Sequence, residues 1–336
     1  MWESVFQGFS ELSKSEQFKL YNAIKFLLFP ADQGDIAKIF KDIRESRFHE
    51  GLACLHCGSV SVKKNGKYRG RQRYLCKDCG KTFNDMTNTP LSGTHYPSKW
   101  LEYFKMMVEG YTFPKITEVL KIHISTAFYW RHKILNALRS LGHSTLKGIV
   151  ESDETYFLES HKGKKDISHR KARKRGGSAT KRGISNEQIC VLVAQDRNGQ
   201  VISEMAGTGR IKSTEIDRVL GQFIDNNALL CSDNATNYKK FAVEKGLKHE
   251  VVNIRKGIYV KKSIYHIQHV NAYHTQLKKF MQRFQGVATK YLDNYLFWFK
   301  YINQTKTIAK TERVKQLLLG SCRNSKHSTV EMLRSA

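Results

Sequence analysis

The chain has 336 residues (38.8 kDa), with 57 Lys and Arg against 30 Asp and Glu, a formal charge of +27 and a pI near 9.8. An excess that large repels itself unless an anion is bound, which points to a nucleic-acid partner. The 40% hydrophobic and 11% aromatic content excludes disorder. A membrane span is not expected, because no apolar run approaches the length one needs, and the mixed, acid-bearing stretch Met1 to Glu11 is unlike a secretion signal. Of the seven cysteines, four form two Cys-x-x-Cys pairs, the pattern of metal ligands in a reducing compartment.

Residues 1–50 read as a helical segment. Ser13 with Glu16 makes a capping-box pattern, Phe18, Tyr21, Ile24, Lys25 and Leu28 follow at helical spacing, and Pro30 stops the run. A second helix is expected over about 35–47, with Ile36, Ile39, Phe40 and Ile43 as packing residues. Residues 51–90 carry the most specific local signal. Cys54-Leu-His-Cys57 and Cys76-Lys-Asp-Cys79 are each followed by glycine, and four thiolates on two such knuckles predict a structural zinc ribbon. Between them Lys63, Lys64, Lys67, Arg69, Arg71 and Arg73 alternate with Tyr68 and Tyr74, either a phosphate-contacting surface or a solvated face.

Residues 96–142 read as three helices, with Ser98, Thr112 and Ser125 or Thr126 as their starts. The short helix, turn and longer helix bearing Trp130-Arg131-His132-Lys133 give the outline of a helix-turn-helix, with Trp130 in the core and Arg131 and Lys133 on phosphates. Residues 147–310 read as one α/β domain, and 311–336 as a helix-prone tail. Its first strand, Ile149 and Val150, runs into Glu151-Ser-Asp153-Glu154, and a later one, Leu229-Leu-Cys-Ser, runs into Asp233. A carboxylate inside a sheet costs several kcal/mol unless a cation compensates it, roughly. Such an Asp is either a solvated strand end or a metal ligand, and two strands that each deliver an Asp beside a Ser suggest two metal ligands meeting at one sheet end. The basic stretch 162–182, which includes Arg173, Lys174 and Arg175, reads as a loop that orders on DNA, with a nuclear-localisation tract as the weaker reading. Strands over about 187–195 and 201–205, a helix over 213–223, a helix over 237–245 and a strand over 249–253 complete the order.

That order is compatible with a ribonuclease-H-like fold, and the motifs add a resemblance. The Cys-x-x-Cys ribbon, Arg73-Tyr-Leu-Cys76, Thr126-Ala-Phe-Tyr-Trp-Arg-His-Lys133, Asp153-Glu-Thr-Tyr156, His266-Ile-Gln-His-Val-Asn271 through Lys278, and Arg283 through Tyr295 together resemble the ISXO-type insertion-sequence transposases, over roughly residues 44–302. The resemblance implies Asp153, Asp233 and Asn271 as the metal-site residues for two Mg²⁺ or Mn²⁺ ions, with Lys278 beside a DNA phosphate. It implies a prokaryotic, cytoplasmic enzyme that binds double-stranded DNA at terminal inverted repeats and at a target, as a homodimer or larger assembly. Asn271 departs from the usual acidic triad, and an amide brings no charge to a metal. That keeps open a second reading, a zinc-ribbon DNA-binding regulator whose nuclease-like domain is inert. Glu154 is expected on the strand face opposite Asp153. His266, His269 and His274 are expected in DNA contact or helix packing.

Overall fold

The structure is a computed structural model, and it describes all residues except 1, 18–19, 22–23, 25–30, 69–70, 165, 169, 174–176, 254–255, 324–327 and 336. The expected helical positions Phe18, Lys25, Leu28 and Pro30 lie outside the described residues. The chain divides into two compact units, one of residues 1–88 and 92–101, the other of residues 89–91 and 102–336.

In the first unit, helix α1 (Trp2–Glu11) is followed by the expected capping box: Glu16 accepts the Ser13 N–H at 3.0 Å and Ser13 Oγ accepts the Glu16 N–H at 3.3 Å. Helix α2 (Ala31–Arg47) buries Ile43 completely. Its last turn is pinned by Arg47, whose Nη1 donates to the Asp85 and Thr87 carbonyls at 2.6 and 2.8 Å. Strands β1 (Val62–Tyr68), β2 (Arg71–Cys76) and β3 (Thr82–Phe83) form an antiparallel sheet with an irregularity between Lys64 and Lys67. The core of this ribbon is four buried residues, Cys54, Tyr74, Cys76 and Phe83, with Tyr74 stacked on Phe83 at 5.5 Å. Half of that core is cysteine.

The second unit opens with α3 (Trp100–Val108, whose first two residues fall in the first unit), α4 (Phe113–Leu120) and α5 (Ile124–Arg139). A five-stranded sheet follows, built from β4 (Ile149–Leu158), β5 (Gln188–Asp196), β6 (Val201–Thr208), β7 (Leu229–Ser232) and β8 (Lys248–Val251) in the order β6-β5-β4-β7-β8. The β6-β5-β4 part is antiparallel, while β4-β7 and β7-β8 are parallel. Helices α6 (Ser213–Leu220) and α7 (Thr236–Lys245) cover one face, where Val150, Leu192, Ala194, Ile202, Ile216, Leu230 and Phe241 share a core. Helix α8 (Gln268–Gln282) lies on β4 and β5 on the other face, and α9 (Leu292–Gln304) on β6. Because both faces are covered, β5 reads as an unbroken apolar run, Ile189 to Ala194, rather than an alternating one.

The tail is part of this unit. Helices α10 (Lys310–Arg323) and α11 (Val330–Ser335) pack on α5 and bury Val314, Leu317, Leu318, Cys322 and Leu333. Helix α5 is also tied to the sheet edge: Arg139 pairs with Asp293 at 3.2 Å, and Asp293 Oδ1 accepts the Met205 N–H of β6 at 2.9 Å. Residues 96–142 were expected to stand apart as a helix-turn-helix. The three helices are present, but α5 has no exposed residue after Ser125, since α9, α10 and α11 all pack against it. The later turns of α5 are therefore enclosed, and its exposed residues are those of its first turn, Ile124 and Ser125.

Candidate metal and carboxylate centres

The cysteine cluster is built by two tight turns. The Gly58 N–H donates to the Cys54 carbonyl at 2.8 Å and the Gly80 N–H to the Cys76 carbonyl at 3.1 Å. Both glycines have positive φ, +80° and +68°, which a side chain would strain. The turns set Cys54 Sγ 3.7 Å from Cys79 Sγ and Cys57 Sγ 3.6 Å from Cys76 Sγ, with all four sulfurs within 4.8 Å of one another. Zn–S bonds of about 2.3 Å give a tetrahedron with edges of about 3.8 Å, so the donor type and spacing fit zinc.

The carboxylate centre starts from strand alternation. On β4, Val150, Glu154 and Tyr156 face α6 and α7, and Glu154 accepts hydrogen bonds from the Tyr238 and Tyr156 hydroxyls at 2.9 and 3.3 Å. Glu151 and Asp153 face α8 instead. Parallel pairing sets Ile149 beside Leu229, Val150 beside Leu230 and Glu151 beside Cys231, and the same register carried two residues further brings Asp153 to Asp233. Burial, then the negative charges of Glu154 and Asp233, push the Asp153 carboxyl up to about 7, with Lys278 opposing them. Two carboxylates at one sheet end present hard oxygen donors, the type that divalent cations take.

Helix α8 faces that end with the stripe Asn271, His274 and Lys278, spaced by three and four residues along one side. His274 is buried at 7% exposure, its Nδ1 lies 3.9 Å from Asp153 Oδ2, and burial followed by the Lys278 charge lowers its pKa to about 4, so it is neutral. Asn271 is exposed, one turn before His274 on the same side.

Glu151 was missed by sequence reasoning. It is 1% exposed, with Arg197 Nη1 at 2.8 Å, His269 Nδ1 at 2.6 Å and His266 Nδ1 at 3.3 Å from its Oε1. The signal was available: an acid two residues before Asp153 shares its face of the strand.

The basic residues expected on DNA have varied placements. Arg131 is fully buried; its Nη2 donates to the Tyr111 carbonyl at 2.6 Å, and its guanidinium lies 3.9 Å from the Phe113 ring centre and 4.5 Å from that of Trp298. Its assignment to a phosphate is therefore corrected: it holds aromatic helices together. Lys133 is partly buried, and burial lowers its pKa. Arg173 Nη1 donates to the Glu159 carbonyl at 2.6 Å and its Nη2 pairs with Glu187 at 3.3 Å, so it braces the basic loop from within. Arg71 lies 4.0 Å over the Phe40 ring, and Arg73 reaches Thr82 Oγ1 at 3.5 Å. Arg69, Lys174 and Arg175 lie outside the described residues.

The second unit is thus an α/β sheet with Asp153 and Asp233 at one end and the Asn271, His274 and Lys278 stripe of α8 against it. Residues 145–302 match the model of the ISXO2-like transposase domain. Over 288 residues the chain is 27% identical to an uncharacterized protein in transposable element ISH50 of Halobacterium salinarum, covering 82% of this chain and 93% of that one. A chain of a pre-cleavage Mos1 transpososome aligns at 12% identity over 67% of this chain and 78% of its own, with a TM-score of 0.23, too loose a likeness to carry an argument. Among the described residues, no helix is long and apolar enough to cross a membrane.

Proposed function

We propose that the chain is a DNA transposase whose catalytic domain, about 147–310, is ribonuclease-H-like. The observation that carries this reading is the β4-β7 pairing, which delivers Asp153 and Asp233 side by side beneath the Asn271, His274 and Lys278 face of α8. The strand order, three antiparallel strands followed by two parallel ones with the first strand central, supports the fold assignment.

Asp153, Asp233 and Asn271 would hold the divalent ions, Mg²⁺ or Mn²⁺. When bound, such a pair of ions lowers the pKa of a water and neutralises charge on the attacked phosphate. Lys278 sets its ammonium group against a DNA phosphate next to the carboxylates and offsets their repulsion of the backbone. His274 packs beside Asp153, its Nδ1 3.9 Å from Asp153 Oδ2. Hydrolysis at an element end would free a 3′-hydroxyl, and its attack on a target-DNA phosphate would form a new phosphodiester while breaking that phosphate's bond to the target strand's 3′-oxygen, which leaves as a hydroxyl. Cys54, Cys57, Cys76 and Cys79 hold structural zinc, and the ribbon's exposed lysines contact terminal-repeat phosphates. Two ends must be joined, so a dimer or larger assembly acts on DNA.

Asp153→Asn should abolish metal-dependent cutting of an oligonucleotide carrying the terminal repeats while sparing its binding in a gel-shift assay. A fully active variant refutes the assignment. If the unaltered chain binds but never cuts, the regulator reading takes over.

A further inference from the structure

Glu151 is a carboxylate inside a sheet with no place in the chemistry above, and its partners indicate a purpose. Helix α8 begins at Gln268 behind Ile267, a residue with no side-chain acceptor for the first turn. Glu151 Oε2 supplies one from the neighbouring strand: it accepts the N–H of His269 at 2.9 Å and that of Val270 at 3.3 Å. These are the second and third N–H groups of the helix, the ones an Asp or Ser at the cap position normally satisfies. The negative charge also suits the positive end of the helix dipole.

The other carboxylate oxygen is held by Arg197, in the turn between β5 and β6, whose Nη1 is 2.8 Å from Oε1 while its Nη2 donates to the Ile264 carbonyl at 2.9 Å. Arg197 thus fastens both the acid and the segment leading into α8. Glu151, His266 and His269 offer three atoms at metal-ligand spacing. A guanidinium nitrogen already stands among them, 3.2 Å from His266 Nε2 and 2.6 Å from His269 Nδ1, so the cation of this cluster is Arg197 itself.

Spacing links this clamp to the carboxylate centre. Glu151 and Asp153, two residues apart on a strand, are separated by about 7 Å along β4. Residues 269–270 and His274, four to five residues apart on a helix, are separated by about 7 Å along α8. The strand therefore meets the helix at two matched points, Glu151 at its first turn and Asp153 at His274, with Asn271 between them. A neutral amide ligand has no charge to draw it toward an ion, so its position must be set by the scaffold.

We infer that Glu151, held by Arg197, is a positioning residue that sets where α8 stands along β4 and thereby places Asn271 against Asp153. This rests on the metal-site reading above, and the experiment separates the two. The zinc-loaded full chain is titrated with Mn²⁺ alone, followed by electron paramagnetic resonance, and amide hydrogen exchange is measured without Mn²⁺. Asp153→Asn tests the site reading and should remove Mn²⁺ binding. Glu151→Gln, which keeps an acceptor but loses the charge, should weaken Mn²⁺ binding about 10- to 100-fold, the usual cost of losing an outer-shell partner. It should also speed exchange at 269–271 while leaving the β5 amides unchanged. Arg197→Met, at a more exposed position, should shift both readouts in the same direction by less.

Unchanged Mn²⁺ affinity in Glu151→Gln, even with a lowered melting temperature, overturns the inference and makes Glu151 a fold residue only. Unchanged exchange at 269–271 overturns it as well. If Asp153→Asn binds Mn²⁺ normally, the site reading fails, and the exchange result alone decides whether Glu151 holds the helix.

Discussion

The cysteine cluster and the carboxylate centre both gather ligands, but they stand in opposite relations to their folds. In the ribbon, two of the four core residues are the ligands Cys54 and Cys76, and the other two are the Tyr74-Phe83 stack. Beyond that stack, the apolar residues of the ribbon, Phe48, Leu52, Leu55 and Val62, are only partly buried, so a zinc ion on the four thiolates would supply much of its core. At the carboxylate centre, the sheet is already secured by the Val150, Leu192 and Leu230 cluster on one face, and the acids are an added cost. One site makes its fold, while the other is tolerated by its fold.

The sharpest way to break this comparison is to remove zinc. Structural zinc is worth about 10–16 kcal/mol to a small domain. Chelation, or Cys76→Ser, should abolish amide protection over β1, β2 and β3 while the β4 and β5 amides keep theirs. Equal loss in both regions by hydrogen exchange would mean that the second unit also depends on the ion.

The second unit's independence rests partly on Arg131. Among the described residues no carboxylate pairs with it; backbone oxygen and aromatic faces surround it. Arg131→Ala leaves a cavity and an unmet carbonyl and should cost about 3–5 kcal/mol by denaturant melting. Arg131→Met, which fills the space and makes sulfur-aromatic contacts, should cost clearly less. A variant that keeps full stability yet loses DNA affinity would restore the phosphate-contact reading.

The same contrast explains what was legible in the sequence. The ribbon's ligands are close in the chain and its turns demand glycine, so local spacing gave both site and fold. The sheet order and the strand ends at Asp153 and Asp233 followed from short apolar runs interrupted by acids. What stayed hidden depends on neighbours brought from afar. Arg131 looks like a DNA contact because Lys133 stands beside it in a helix-turn-helix outline, and only the packing of α9, α10 and α11 around α5 shows that its side chain is buried. Glu151 was overshadowed by Asp153, since its significance lies in backbone N–H groups 118 residues away. Arg173 looked like part of a loose basic loop because its partner, Glu187, sits beyond the loop at the start of β5.

The smallest expected effect has the opposite sign to the first. Asp153 has its carboxyl raised from 3.8 to about 7 by burial and by Glu154 and Asp233. A carboxyl raised in the folded state binds its proton more tightly there than when unfolded, so stability falls as pH rises from about 4 through 7. One pKa unit corresponds to about 1.4 kcal/mol, and water at this partly open site reduces the net cost to on the order of 1–2 kcal/mol. In zinc-containing, magnesium-free buffer, Asp153→Asn should therefore raise the melting temperature of the second unit at pH 8 and do little at pH 4. Losing a ligand thus unfolds the ribbon but stabilises the sheet domain, as expected where an acid is kept for what it binds. A melting temperature lowered at pH 8 would instead make Asp153 part of what holds the sheet together.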